Sequence, residues 1–340
     1  MNKEFFAKSK RAAMVALAVL GISTSGSALA EAEWISVTMD NDAFVGDDNG
    51  YTNGIYVSWF DGPEGEQKAE IGLLARAMKW SLPDSGSSGI GFDIKTIGQT
   101  MITPSDIEFP TLPPPDDLPY GGLLFYSDTF VQIQPTFADM ISVTVGVVGE
   151  YSFAEESQEF VHGILDADEP CCWDQQLDNE IVFQVRRGRV WKTWVSDSGN
   201  ADFLLGADLA LGTISSEVGA GFMVRYGRDM KLSYATSVLI NQRIANAVAT
   251  QKGWYLFAGA RAGYVGNHIF LDGSKAYDDR FGEMVYDEES LMLTTGLAYS
   301  WENFSLTFAL NDLNANDDSD AEAAEEYTKY GTLTLAWKLD

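Results

Sequence analysis

Apolar and polar side chains alternate with a period of two along most of the chain, the spacing of strands whose two faces meet different surroundings. In the last such stretch Leu333, Leu335, Trp337 and Leu339 alternate with Thr332, Thr334, Ala336 and Lys338. Phe304, Leu306, Phe308 and Leu310 alternate with Ser305, Thr307, Ala309 and Asn311. The same holds for Ile141, Val143, Val145 and Val147 against Ser142, Thr144 and Gly146, and for Ile35, Val37 and Met39 against Ser36, Thr38 and Asp40. The pattern predicts strands near 34–44, 51–60, 91–102, 121–134, 139–149, 179–195, 201–213, 217–229, 253–272, 289–301, 303–312 and 328–339. This is an all-β fold with an even strand count.

A soluble sandwich would alternate in the same way, with its apolar face turned inward. Three features favour an antiparallel transmembrane β-barrel of about twelve strands. The residues opposite the apolar face are often Gly, Ser, Thr or Ala, which suits a crowded lumen. Trp59, Trp191, Trp194, Tyr226, Trp254, Tyr299 and Trp301 cluster at strand ends, as in an interfacial aromatic girdle. Connections alternate between tight turns, such as 197–200 and 302–303, and long loops at 104–120, 150–177 and 312–327. Residues 61–90 and 230–252 do not alternate and fall on the periplasmic side, with Ala69 to Trp80 readable as a short amphipathic helix.

The N-terminus supports export. Lys3, Lys8, Lys10 and Arg11 precede the short apolar run Ala12 to Ile22, and Ser27-Ala28-Leu29-Ala30 has the form of a cleavage site. Residues 1–30 are therefore expected to be a signal peptide, and 31–340 an outer-membrane barrel of a Gram-negative bacterium. The net charge is −28. Such a surface repels nucleic acid, whose binding needs Lys and Arg against phosphate, and favours divalent cations. The two cysteines, Cys171 and Cys172, are adjacent, so they form a vicinal disulfide or remain thiols and cannot staple distant segments.

The chain has only two histidines, His162 and His268. His162 lies in Ala154 to Leu165, which breaks the alternation and reads as a short helix in an extracellular loop. Gln158 and His162 are four apart and share one helix face, and Asp166 and Asp168 follow. His is the side chain best suited to general-base work near neutral pH, although a lone loop His is more often only solvated. His268 continues a strand and reads as a structural residue of the lumen or rim. The first hairpin is rich in hard oxygen donors: Asp40-Asn41-Asp42 ends one strand, and Asp47-Asp48-Asn49 leads into Tyr51-Thr52-Asn53-Gly54. Such donors suit calcium, and strand parity turns Asp40 and Asp42 inward. No Gly-x-Ser-x-Gly elbow, phosphate loop or dinucleotide fingerprint occurs.

In their order along the chain, four motifs resemble the outer-membrane lipid A 3′-O-deacylase family (LpxR-like). They are Asn41-Asp42-x-Phe44, Tyr51-Thr52-Asn53-Gly54, Gln158-x-x-x-His162, and Trp173-Asp174-x-Gln176-Leu177-x-Asn179-Glu180. Thr103-Pro104-Ser105 with Pro119-Tyr120-Gly121-Gly122 adds a weaker fifth. The resemblance implies a twelve-stranded barrel whose extracellular loop helix forms an active site against the inner wall. It implies a hydrolase that removes a 3′-linked acyl chain from lipid A of lipopolysaccharide in the outer leaflet. By the same resemblance His162 is the general base, Gln158 its helix neighbour and Thr52 a residue lining the site. Asn41, Asp42 and Asp168 serve a calcium ion, with Asp166 able to replace Asp168. Cys171-Cys172 stands where relatives tend to have Gly before the Trp. The barrel is expected to act as a monomer. Two other readings stay open on the sequence: a non-enzymatic pore or surface protein, which a plugged lumen would disfavour, and an outer-membrane phospholipase, which a serine beside His162 would favour.

Overall fold

A computed structural model of the chain describes residues 32–41, 44, 53–60, 73–81, 90–104, 118–165, 170–230, 252–273, 287–312 and 329–339. The proposed signal peptide lies outside them. Twelve antiparallel strands close into a barrel, each paired with its sequence neighbours and the first with the last. They are β1 (Trp34–Asn41), β2 (Asn53–Phe60), β3 (Ile90–Ile102), β4 (Gly121–Ile133), β5 (Phe137–Val148) and β6 (Glu180–Val195). Then follow β7 (Ala201–Gly212), β8 (Ser215–Arg228), β9 (Gly253–His268), β10 (Glu289–Trp301), β11 (Phe304–Asp312) and β12 (Lys329–Lys338). Closure by β1 on β12, with Val37 opposite Leu335 and Thr38 opposite Thr334, leaves the sheet without a free edge.

The outward row carries the apolar half of the alternation. Leu205, Leu209, Phe222, Val224, Leu256, Leu293 and Leu297 are exposed, a surface suited to lipid. Trp191, Trp194, Tyr226, Trp254, Tyr299 and Trp301 are exposed at the end that carries the short turns. They form the girdle that the sequence predicts. Trp59 has the same parity but is covered.

Small polar side chains line the lumen as expected. Thr38 bonds Thr334 at 2.9 Å, Ser58 bonds Thr96 at 2.8 Å, and Thr129 bonds Ser142 at 2.7 Å. Parity alone did not disclose how fully the lumen is packed. An apolar cluster including Phe60, Phe92, Val131, Leu204, Met223 and Tyr255 fills its periplasmic half. A second, with Ile102, Leu123, Val182, Phe270 and Tyr330, fills the extracellular end. Between them Arg186 and Arg261 share Asp208 at 2.6 and 3.0 Å, and both face Glu217. Nearer the periplasm Arg225 forks onto Asp202 at 2.9 and 2.6 Å, and Lys192 lies 3.7 Å from the same carboxylate. These buried charges occur in compensating sets, as a low-dielectric interior demands.

Among the described residues three α-helices interrupt the strands: α1 (Leu73–Ser81), α2 (Ala154–Leu165) and α3 (Ile269–Asp272). The first overlaps the helix anticipated at 69–80 and runs one residue further, to Ser81. It packs Met78, Leu74 and Ala77 on Phe130 and Ile141, which point outward from β4 and β5. The strand expected over 253–272 ends earlier, at His268. There the chain turns into α3, with His268 as N-cap accepting from Phe270 N at 3.4 Å and Asp272 accepting from His268 N at 2.6 Å.

Candidate active site

The loop after β5 is bent sharply onto the wall. Gly149 has φ of 88°, and a Cβ there would press on the backbone of 177–179, so only glycine fits. Its N–H donates to Gly122 O at 3.1 Å. A single 3-10 turn, Glu150–Ser152, follows, and Phe153 in the left-handed region reverses the chain into α2. Gln99 donates to Ser152 O at 2.6 Å, and Tyr151 N donates to Asn179 Oδ1 at 2.9 Å. A Cβ on Gly122 would collide with Ser152 and Ala154, so the bare backbone of β4 is the seat of the helix start.

These contacts decide which face of the barrel the helix meets. Gly121 and Leu123 pack into the lumen cluster with Phe270, whereas Gly122 lies between them with the opposite parity. Met101, its register mate on β3, and Gln99, opposite Leu124, share that outward row. The start of α2 therefore docks on the outer face of the wall at the extracellular rim. The expectation of an inner-wall site is corrected on this point. The reason is the glycine: its outward face offers room, while the inward rows are already filled by Ile102, Leu123 and Phe270.

Gln158 is 2 % exposed, and its Oε1 accepts from Trp173 Nε1 at 2.8 Å. Trp173 lies 5.1 Å from the Tyr120 ring and packs with Met101, Ala154 and Cys172. Cys171 and Cys172 form a vicinal disulfide directly before it. A buried indole needs an acceptor, and Gln158 supplies it. His162 sits one turn further along α2 and is half-buried. On the neighbouring strands Asp40 opposes Gly54, so continuing the register brings Asn41 opposite Asn53 on the outward row. Asp40 itself faces inward as expected, is fully buried, and accepts from Thr332 at 2.6 Å.

Of the sequence-predicted residues, Gln158 and His162 lie on α2, and Asn41 ends β1 on the same outward side of the rim. Asp42, Thr52, Asp166 and Asp168 lie outside the described residues. His268 belongs to the lumen plug and caps α3, so it takes no part in this group. Two residues that the motifs contained were not assigned. Trp173 positions Gln158, and its signal was a large aromatic with one donor inside a polar loop. Asn53 is buried, and its Oδ1 has no hydrogen-bond partner among the described residues. The same is true of Gln158 Nε2 and Ser152 Oγ. Buried polar atoms are rarely left in this state, so these atoms could serve as contacts for water or a bound group. Among the described residues no three His, Cys, Asp or Glu side chains gather as a metal site. The amide oxygens of Asn41 and Asn53 are nonetheless hard donors of the kind calcium takes.

A family model described as outer membrane protein LpxR matches residues 12–339. The chain belongs to the LpxR outer-membrane protein family. LpxR from Salmonella typhimurium shares the fold at a TM-score of 0.70 and 14 % identity, over 90 % of this chain and all of that one. Two further barrels are less alike. A KdgM porin has a TM-score of 0.37 at 5 % identity, over 90 % of this chain and 99 % of that one. The β domain of the Bordetella autotransporter Brka has 0.42 at 9 %, over 90 % and 98 %. No curated protein sequence matches the chain. As an LpxR-family barrel the protein resides in the outer membrane and crosses it with strands. No described helix is long and apolar enough to cross.

Proposed function

We propose that this LpxR-family barrel is a lipid A deacylase that hydrolyses a 3′-linked acyl ester of lipopolysaccharide. The observation that carries the reading is the docking of the His162 helix on the outward face of the rim. A lipid in the outer leaflet reaches that face by lateral diffusion, with its ester near the interface and its tail along the wall. The packed lumen speaks against a pore.

In the reaction His162 takes a proton from water as the water oxygen attacks the ester carbonyl carbon. The tetrahedral intermediate collapses by breaking the bond to the sugar oxygen. That oxygen takes the proton from His162, and the products are a free fatty acid and a sugar hydroxyl. Gln158, fixed by Trp173, sets the helix face that carries His162, and its buried Nε2 is a donor for the developing oxyanion. By the family resemblance Thr52 would line the site. Asn41, Asp42 and Asp168 would hold a calcium ion, which when bound supplies Lewis-acid polarisation of the ester carbonyl. No serine nucleophile is needed.

The direct test offers the purified barrel, in mixed micelles with calcium, either hexa-acylated lipid A or a diacyl glycerophospholipid. Release of fatty acid from lipid A alone supports the proposal. Release from the glycerophospholipid alone would make the protein a phospholipase, and release from neither would return it to the non-enzymatic class.

A further inference from the structure

We propose that the barrel thins the membrane along β3–β6, the wall on which α2 docks, by turning charge outward well above the periplasmic girdle. Two walls of the barrel differ in apolar height. On β10 the outward residues Leu291, Leu293, Thr295, Leu297, Tyr299 and Trp301 carry no charge. On β8 no charge faces outward from Val218 until Arg228. A run of that length, tilted by about 40°, spans about 26 Å, the height of a barrel's lipid-facing band. On the other wall charge arrives sooner. Lys95 stands six residues below Met101, Asp128 six below Gly122, and Arg187 six below Ile181. That distance is only about 16 Å.

Register joins these residues into one belt. Lys95 opposes Asp128, Arg187 opposes Ile141, and Arg189 opposes Asp139, all on the outward face. The belt needs no surplus of either sign. Asp139 takes Arg189 at 2.7 Å through both oxygens and Arg187 at 3.2 Å, and Lys95 lies 3.5 Å from Asp93. Pairing does not make the belt apolar. The side chains of Lys95 and Asp93 remain 32 % and 48 % exposed on the face turned to lipid. Asp128 Oδ1 has no hydrogen-bond partner among the described residues, a state that calls for water.

The helix α1 marks the same level independently. It packs Met78 on Phe130 and Ile141, which share a register row with Asp93 and Arg187. Its last residue, Ser81, meets Arg187 Nε through Oγ at 3.3 Å. Arg76, Lys79 and Trp80 are exposed on it. A short amphipathic helix with basic residues and an exposed Trp belongs at a headgroup boundary. A lipid-facing charge is costly at the bilayer centre and nearly neutral at the interface, whereas a bilayer yields to a short wall at a modest cost per ångström. The lower-energy arrangement therefore brings the periplasmic headgroups up to the belt. Lipid that reaches α2 then leaves a bilayer already loosened beneath it. That last consequence rests on the deacylase reading; the thinning does not.

The test measures depth and not activity, so it can fail while the deacylase reading stands. Both native cysteines are joined to each other, which leaves single introduced cysteines free to carry a nitroxide. The folded mature barrel in dioleoyl phosphatidylcholine vesicles is labelled at Val143→Cys, opposite Asp128, or at Thr295→Cys. Each position lies four residues below an outward apolar residue near its strand's extracellular end, Val147 or Leu291. Relative to oxygen, a water-soluble nickel chelate is expected to reach the Val143 label several-fold more than the Thr295 label. Lys95→Leu with Asp128→Leu should lower that access; if the double variant fails to fold, the parent comparison alone decides. Equal access at the two labels, or unchanged access in the folded double variant, would overturn the proposal. A label at Val147→Cys should remain as accessible as that at Val143. Shielding of Val147 would show a tilted barrel in a bilayer of even thickness, and the proposal would fall. Dimers cross-linked through Val143→Cys would assign the belt to a second copy of the chain, with the same result.

Discussion

The lumen and the extracellular rim both bury polar groups, but they treat them in opposite ways. In the lumen the buried arginines of the described residues pair with carboxylates: Arg186 and Arg261 with Asp208 and Glu217, and Arg225, beside Lys192, with Asp202. At the rim Asn53 Oδ1, Ser152 Oγ, Gln158 Nε2, Gln175 Oε1 and Gln176 Oε1 have no hydrogen-bond partner among the described residues. Satisfied polar networks rigidify a fold, whereas orphaned donors and acceptors cost free energy that folding alone does not recover. The lumen ion pairs are therefore read as structure, and the rim atoms as the contacts that the proposed site would use.

The comparison can be broken from either side. The largest effect is expected at the rim, on chelation. EGTA should abolish deacylation, and calcium should restore it better than magnesium, because amide and carboxylate oxygens on a loop suit calcium's looser geometry. Full activity in excess chelator would remove the metal from the account. In the lumen, Asp208→Ala removes the carboxylate that Arg186 and Arg261 share. It should lower stability by about 3–5 kcal/mol, read from denaturant unfolding of the folded barrel. A change under about 1 kcal/mol would show that water or relaxation satisfies those arginines.

A smaller effect should separate positioning from folding. Trp173→Phe keeps the ring against Tyr120 but removes the donor to Gln158 Oε1, leaving a buried acceptor at a cost of about 1–3 kcal/mol. Turnover is expected to fall by about tenfold, while barrel unfolding moves little. Equal losses of activity and barrel stability would make Trp173 merely structural. The smallest effect belongs to His268→Ala. It loses a cap worth about 1 kcal/mol on a four-residue helix and should leave turnover unchanged. A large loss would move the chemistry to the lumen plug.

Strand positions were legible because period-two alternation needs no tertiary information. The helix over Ala154–Leu165 was legible because it breaks that alternation while keeping Gln158 and His162 on one face. The two lumen plugs were less visible. In β4 Thr129 to Ile133 is buried on both faces, since Phe130 is covered from outside by α1 while Val131 and Ile133 pack inside. Parity cannot separate a lipid-facing residue from one that a helix covers. The side on which α2 docks was hidden for a similar reason. It depends on a missing Cβ at Gly122 and on Gln99 reaching Ser152, contacts between residues 32 and 53 positions apart. The partner of Trp173 was equally remote from local pattern, because only the folded loop brings its indole to Gln158.

The central claim is that His162, on the outward face of the rim, activates the water that cleaves a lipid A ester. Mass spectrometry of lipid A from cells producing the parent barrel or His162→Ala, at matched levels of heat-modifiable protein, tests it most directly. The parent should yield lipid A lighter by its 3′-linked acyl substituent. The variant should leave lipid A intact, corresponding to a loss of about two to four orders of magnitude in turnover. Lipid A deacylated to the parental extent by well-inserted His162→Ala would contradict the account.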